Sequence, residues 1–129
     1  MSFEKEIGRI GEDLVAQWLR SKGYIIVKRN YRCKYGEIDV VAESPKVVAF
    51  VEVKTRKEDS LVAPKDAVDK SKQRKLAITA KNFLKAAHLT DMQYRFDVVE
   101  VTYKRDETGA IKYSLNYIKN AFFYDITED

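Results

Sequence analysis

Apolar residues recur at helical spacing between Phe3 and Arg20, at Ile7, Ile10, Leu14 and Trp18, the pattern of a helix that buries one face. Ser2 stands where an N-cap belongs and Gly23 where such a helix ends. Tyr24 to Val27 then reads as a strand, and the basic stretch from Lys28 to Tyr35 as its frayed end and a loop. Two β-branched runs of period two, Glu37 to Ala42 and Val47 to Lys54, flank a Ser44-Pro45-Lys46 turn and predict a hairpin. A polar loop is expected from Thr55 to about Ala63. An amphipathic helix follows from about Asp69 to Ala87, with Leu76, Ala80, Phe83, Leu84 and Ala87 on one side. Tyr94 to Tyr103 and Ile111 to Ile118 alternate around an Asp106-Glu107-Thr108-Gly109 turn, which predicts a second hairpin. The order α-β-β-β-α-β-β implies one α/β domain over residues 1–129, a mixed sheet flanked by helices.

Composition narrows the chemistry. At 129 residues and 45% hydrophobic the chain is large enough for one core. Its longest apolar run, Val47 to Val51, is far short of the roughly 20 residues that cross a bilayer. The N-terminus lacks the basic-then-apolar pattern of a signal peptide, so a cytoplasmic protein with no membrane partner is expected. A single cysteine, Cys33, and a single histidine, His88, exclude an internal disulfide, a cysteine zinc cluster and an HExxH site. What remains is chemistry on carboxylates, lysines and an oxygen-loving metal, or binding alone. The net charge of +4 is unevenly spread: residues 54–85 carry 10 basic and 4 acidic side chains, while residues 86–129 carry 5 and 8. Such a local surplus is either a solvated lysine-rich helix or a face turned toward phosphates.

Within the first hairpin, alternation places Glu37, Asp39 and Val41 on one face of their strand and Ile38, Val40 and Ala42 on the other. On the next strand Glu52 and Lys54 share a face, opposite Val51 and Val53. With an even-length turn, Asp39 lies opposite Glu52 and Glu37 opposite Lys54. Like charges directly opposed across a ladder are destabilising. A hard cation such as Mg²⁺ or Mn²⁺, which favours oxygen ligands, would relieve them. On the first helix, Glu12 falls at the border of the apolar arc while Arg9 and Asp13 project away. Gly8 and Gly11 lie inside the arc, as a close approach to the sheet would require. On the second helix Lys72 and Gln73 fall within the apolar arc, whereas Arg74, Lys75 and Ile78 point elsewhere. Gln73 is thus placed to orient a water or a phosphate oxygen. Each feature alone also suits an ordinary surface role, and Cys33 and His88 read as a surface thiol and a helix-end residue.

Asp39 followed, after twelve intervening residues, by Glu52-Val53-Lys54 resembles the signature of the PD-(D/E)XK nuclease superfamily, with Ile38 in place of its proline. The wider context is more specific: Gly8-x-x-x-Glu12, Arg29-Asn30-Tyr31-Arg32 before Gly36-Glu37-Ile38-Asp39, Phe50 to Arg56, and Arg95-Phe96-Asp97-Val98-Val99. Together these resemble the YraN-like bacterial family of predicted endonucleases, relatives of archaeal Holliday junction resolvases. The resemblance implies a restriction-endonuclease-like αβββαβ core. It further implies a metal site for Mg²⁺ or Mn²⁺ at Asp39, Glu52, the Val53 carbonyl and Glu12, with Lys54 as the signature lysine. Gln73 corresponds to a helical glutamine of several branches, although Ala77 stands where one of them has tyrosine. The activity so implied is endonucleolytic cleavage of structured or branched DNA, with a homodimer where two strands are cut. Lys28, Arg29, Arg32 and Lys34, with Arg56, Lys57, Lys70, Lys72, Arg74 and Lys75, are the expected grip on the nucleic-acid backbone. The competing readings are a non-catalytic nucleic-acid-binding module of the same fold and a domain that docks an acidic protein.

Overall fold

A computed structural model describes residues 2–59 and 68–126. The chain runs α1 (Phe3–Ser21), β1 (Ile25–Cys33), β2 (Gly36–Glu43), β3 (Val47–Lys57), α2 (Lys70–Ala86), β4 (Gln93–Arg105) and β5 (Ile111–Phe122). The strands form one sheet in the order β1-β2-β3-β4-β5, antiparallel except for the parallel pair β3–β4. The mixed α/β architecture expected from the element order is the one observed.

Both helices begin, and α1 ends, as their sequences dictate. The Ser2 hydroxyl accepts from the Lys5 N–H at 3.2 Å and the Asp69 carboxylate from the Lys72 N–H at 2.9 Å, each satisfying a donor left free at a helix start. Gly23, at φ 91°, follows the C-cap of α1 in a left-handed conformation that a side chain disfavours. Ala87, expected on the buried side of α2, is instead its exposed C-cap.

Each helix seals one face of the sheet. Val15 and Leu19 of α1 pack on Val40, Ala42, Ala49, Val51, Val99 and Val101. Leu76, Ala80, Phe83 and Leu84 of α2 pack on Ile38, Val41, Val48, Phe50, Phe96 and Val98. The alternation along β3 and β4 is therefore a sorting of side chains between two helices.

The β2–β3 hairpin has the register expected for an even loop, from Val40 opposite Val51 to Glu43 opposite Val48. Three details depart from the expectations. The basic stretch after Val27 is no loop: β1 continues to Cys33, because β2 offers a partner from Glu43 back to Gly36. At the sheet's edge such a strand tolerates charge, which also discourages pairing with other chains. Likewise Thr55 to Lys57 extend β3, held by the parallel ladder to β4, while residues 60–63 of the expected loop lie outside the described residues. Finally, Ile38 packs on the α2 side with Val41, although strict alternation assigns the two to opposite faces. Asn30 of β1, beside it, takes φ 53°, and the neighbouring Tyr31, paired with Ile38, packs on Phe83 of α2. The change of face thus coincides with the left-handed residue at Asn30.

Candidate functional site

The rungs of the β2–β3 ladder stop at Val40 and Val51. Past that point the Val53 N–H donates to Oδ2 of Asp39 at 2.8 Å, so a side chain replaces a strand partner. Asp39 and Glu52 thereby meet on the α2 side of the sheet. They line a pocket of about 450 Å³ together with Gly36, Glu37, Asp69, Ser71, Lys72, Lys75 and Leu76. The first turns of α2 form its opposite wall, which follows from the Asp69 cap and from the packing of Leu76 below it.

Charge in this pocket is unevenly distributed. Glu52, 7% exposed, takes two ammonium groups on one oxygen: Lys72 Nζ at 3.0 Å and Lys54 Nζ at 3.4 Å from Oε1. Among the described residues Asp39 has no such ammonium partner, only the Val53 N–H. Burial, then the charge of Glu52, pushes its carboxyl up to about 7, against the Val53 hydrogen bond, with Glu12 and Glu37 adding to the repulsion. Burial also lowers the Lys54 ammonium, as does Lys72 beside it, and Glu52 offsets this only in part. Burial pulls on Lys72 in the same sense, but its contacts in this cluster, the charges of Glu52 and Asp39 among them, leave it raised.

Glu12 approaches from α1. Its carboxyl is raised by burial, against hydrogen bonds from Asn30 and Arg29 and the Arg29 charge, and Arg29 stands 3.7 Å from Oε1. The close approach that sets this depth is made at Gly11, where a built Cβ collides with Thr55 Oγ1. Gly8 plays no such part, since a Cβ there meets nothing within 4 Å. Asp13, expected to project away, is ion-paired with Arg29 at 2.7 Å.

The other expected residues separate into those in the pocket and those outside it. Gln73 turns back, its Nε2 donating to the Val68 carbonyl at 3.1 Å, and does not line the pocket. Lys72 and Lys75 line it, although Lys75 was expected to point elsewhere. Glu37 pairs with Arg32 at 3.2 Å on the neighbouring strand rather than with Lys54. Lys28, Lys34, Lys57, Lys70 and Arg74 are exposed. Arg56 lies on β3 two residues beyond Lys54 and is half-buried. The paired role of Lys72 was the part least visible in the sequence. Its inward position on the helical wheel was the only signal.

Among the described residues no three acidic, histidine or cysteine side chains already converge as a metal cage. The donor set is two carboxylates, one of them starved of positive charge. That suits a hard dication which binds through one or two carboxylates and keeps several waters, as Mg²⁺ does. The Val53 carbonyl would be the further protein donor.

A five-stranded mixed sheet between two helices, with a carboxylate pair where a hairpin opens, defines an α/β protein with a restriction-endonuclease-like core. The chain belongs to Uncharacterised protein family UPF0102, whose sequence profile matches residues 11–101. It is 41% identical over 120 residues to a UPF0102 protein of Clostridium perfringens, covering 93% of this chain and 96% of the relative. Similar relatives are the UPF0102 proteins of Alkaliphilus metalliredigens, 39% identical with 93% and 100% covered, and of Caldicellulosiruptor saccharolyticus, 40% identical with 92% and 98% covered. This is the YraN-like family that the motifs resembled. Among the described residues no helix is long and apolar enough to cross a membrane.

Proposed function

We propose that this protein is a divalent-metal-dependent endonuclease acting on structured or branched DNA. The observation that carries the reading is the Asp39–Glu52 pair lining one open pocket with Lys72, while Lys54 and Lys72 both place their ammonium groups on Glu52. Asp39 and Glu52, with the Val53 carbonyl and Glu12 directly or through water, would hold Mg²⁺ or Mn²⁺, which supplies Lewis acidity at a phosphate oxygen. The chain's own groups do the rest. Lys72, whose ammonium is favoured by its contacts in the cluster, binds and neutralises the phosphoryl oxygens. Lys54, whose ammonium is weakened by burial, holds the attacking water and moves a proton there more readily than an ordinary lysine. The exposed cations of β1 and α2 grip the backbone without reading bases. Branched DNA as substrate, and a homodimer that cuts two strands, rest on the likeness of the motifs to the resolvases.

The second reading is a nucleic-acid-binding module that keeps the fold without catalysis, and it is favoured by the absence of a ready three-ligand cage among the described residues. Labelled single-stranded, duplex, flap and four-way-junction DNA, incubated with Mg²⁺ or Mn²⁺, separates the two. The nuclease reading expects cleavage that Asp39→Ala abolishes, that Lys54→Ala slows by about 10²–10³-fold, and that leaves binding largely intact. Salt-sensitive binding with no cleavage of any substrate, unchanged in both variants, establishes the module instead.

A further inference from the structure

The Arg95-Phe96-Asp97 stretch has no part in the carboxylate site, yet it holds the most completely bonded charge among the described residues. Asp97, 1% exposed, receives Arg95 Nε at 2.8 Å and Nη2 at 2.9 Å, the Asn120 N–H at 2.8 Å, and the Tyr117 hydroxyl. A buried ion pair of this kind is a poor source of stability, since desolvation consumes most of the attraction. Its effect is to fix the guanidinium of Arg95, whose Nη2 also donates to the Tyr24 hydroxyl at 2.8 Å. That guanidinium forms part of the wall of a second pocket, of about 420 Å³, on the α1 side of the sheet and away from Asp39 and Glu52.

We propose that this pocket, formed by Trp18, Lys22, Tyr24, Arg95, Tyr117 and Lys119, binds a nucleotide unit, a nucleobase with an adjacent phosphate. Its lining is three aromatic rings and three cations, and the one carboxylate beneath it is already taken up by four donors. Flat aromatic surface answers a base and ammonium groups answer its phosphate. The volume is that of a small-ligand site. Trp18 is stacked on Tyr117, with ring centroids 4.5 Å apart, and is held rigidly against the sheet. The exposed Lys22 places its ammonium 5.5 Å from the centre of the Trp18 ring. An incoming base takes that position over the indole and displaces the ammonium onto the phosphate it carries. Lys119, also exposed, closes the other side.

The proposal does not depend on cleavage and is tested with divalent metal chelated. Trp18 is the only tryptophan in the chain, so its fluorescence reports on this pocket alone. The probes are AMP, a 5′-phosphorylated oligodeoxyadenylate, deoxyadenosine and inorganic phosphate. Saturable quenching by AMP and by the oligonucleotide supports a site for a free nucleotide. Quenching by the oligonucleotide alone supports a site for a strand. In the Lys22→Ala/Lys119→Ala variant, both changes lying at the surface, the affinity falls and the slope of log affinity against log salt drops by about two. Quenching by none of the probes, by inorganic phosphate or deoxyadenosine as well as by AMP, or equally in the double variant, overturns the proposal.

Discussion

Asp39 and Asp97 lie on strands two apart in one sheet, and their surroundings are opposite. Asp97 is sealed under α1 and β5 with a guanidinium, a hydroxyl and a backbone N–H on its oxygens. Asp39 borders an open pocket with one N–H among the described residues, facing Glu52, while Lys54 and Lys72 turn to Glu52. A carboxylate given every partner it needs organises structure. One left short of positive charge, at the cost of stability, is where a cation or a phosphate has something to gain. The same residue type thus serves two ends within one domain, and only the neighbours decide which.

The largest test of this contrast is to neutralise each carboxylate in turn. Asp97→Asn leaves the half-buried Arg95 without its counter-ion and is expected to cost about 3 kcal/mol in denaturant unfolding. Asp39→Asn removes a strained charge and should stabilise the metal-free protein at pH 8 by about 1–2 kcal/mol. Equal losses in both variants would erase the distinction. Next in size, Tyr117→Phe deletes one hydrogen bond to the buried Asp97 and is expected to cost about 1.5–3 kcal/mol in the same measurement. No loss would show the Asp97 network to be over-determined.

Helix α1 spans both regions, so its seating offers a third test. Gly11→Ala drives a methyl into Thr55 and should destabilise by about 1–3 kcal/mol. Gly8→Ala enters open space and should stabilise by up to about 1 kcal/mol through helix propensity. Reversal of that order in thermal melts would mean that the helix depth at Glu12 is set elsewhere.

The same contrast can be read in pH. Asp39, ordinarily at 3.8 and pushed up to about 7, keeps its proton in the native state after the unfolded chain has lost its own. Stability of the metal-free protein therefore falls as pH rises through that window and levels off above it, and Asp39→Asn removes the fall. A wild type whose stability rises from pH 5 to pH 7 while the variant's stays flat contradicts the assignment.

Much of this was legible in the sequence because it is local. The hairpin register followed from a turn of even length, and it brought Asp39 to Glu52. The caps at Ser2 and Asp69 and the sorting of Val51 from Glu52 are short-range facts of the same kind. What escaped depends on partners far along the chain. Lys28 to Cys33 look like a loop until β2 supplies their hydrogen bonds. Ile38 changes face beside a left-handed Asn30 on the next strand, which the β2 sequence does not show. Gln73 and Lys72 are adjacent on one helix, and a wheel cannot tell which of them meets Glu52 and which turns back to Val68. The Asp97 network joins residues from Tyr24 to Asn120, so its composition showed only as a motif without a role.

The central claim is that Asp39, facing a Glu52 that holds both Lys54 and Lys72, is short of positive charge, and that a divalent cation would relieve it. The thermal unfolding of wild type and Asp39→Asn at pH 8, in chelator and then in excess Mg²⁺, tests this most directly. The account predicts that Asp39→Asn is the more stable in chelator, and that Mg²⁺ raises the wild type by about 2.7 kcal/mol at a hundredfold excess over its dissociation constant while leaving the variant unmoved. A wild type indifferent to Mg²⁺, or a variant that is less stable in chelator, would contradict it.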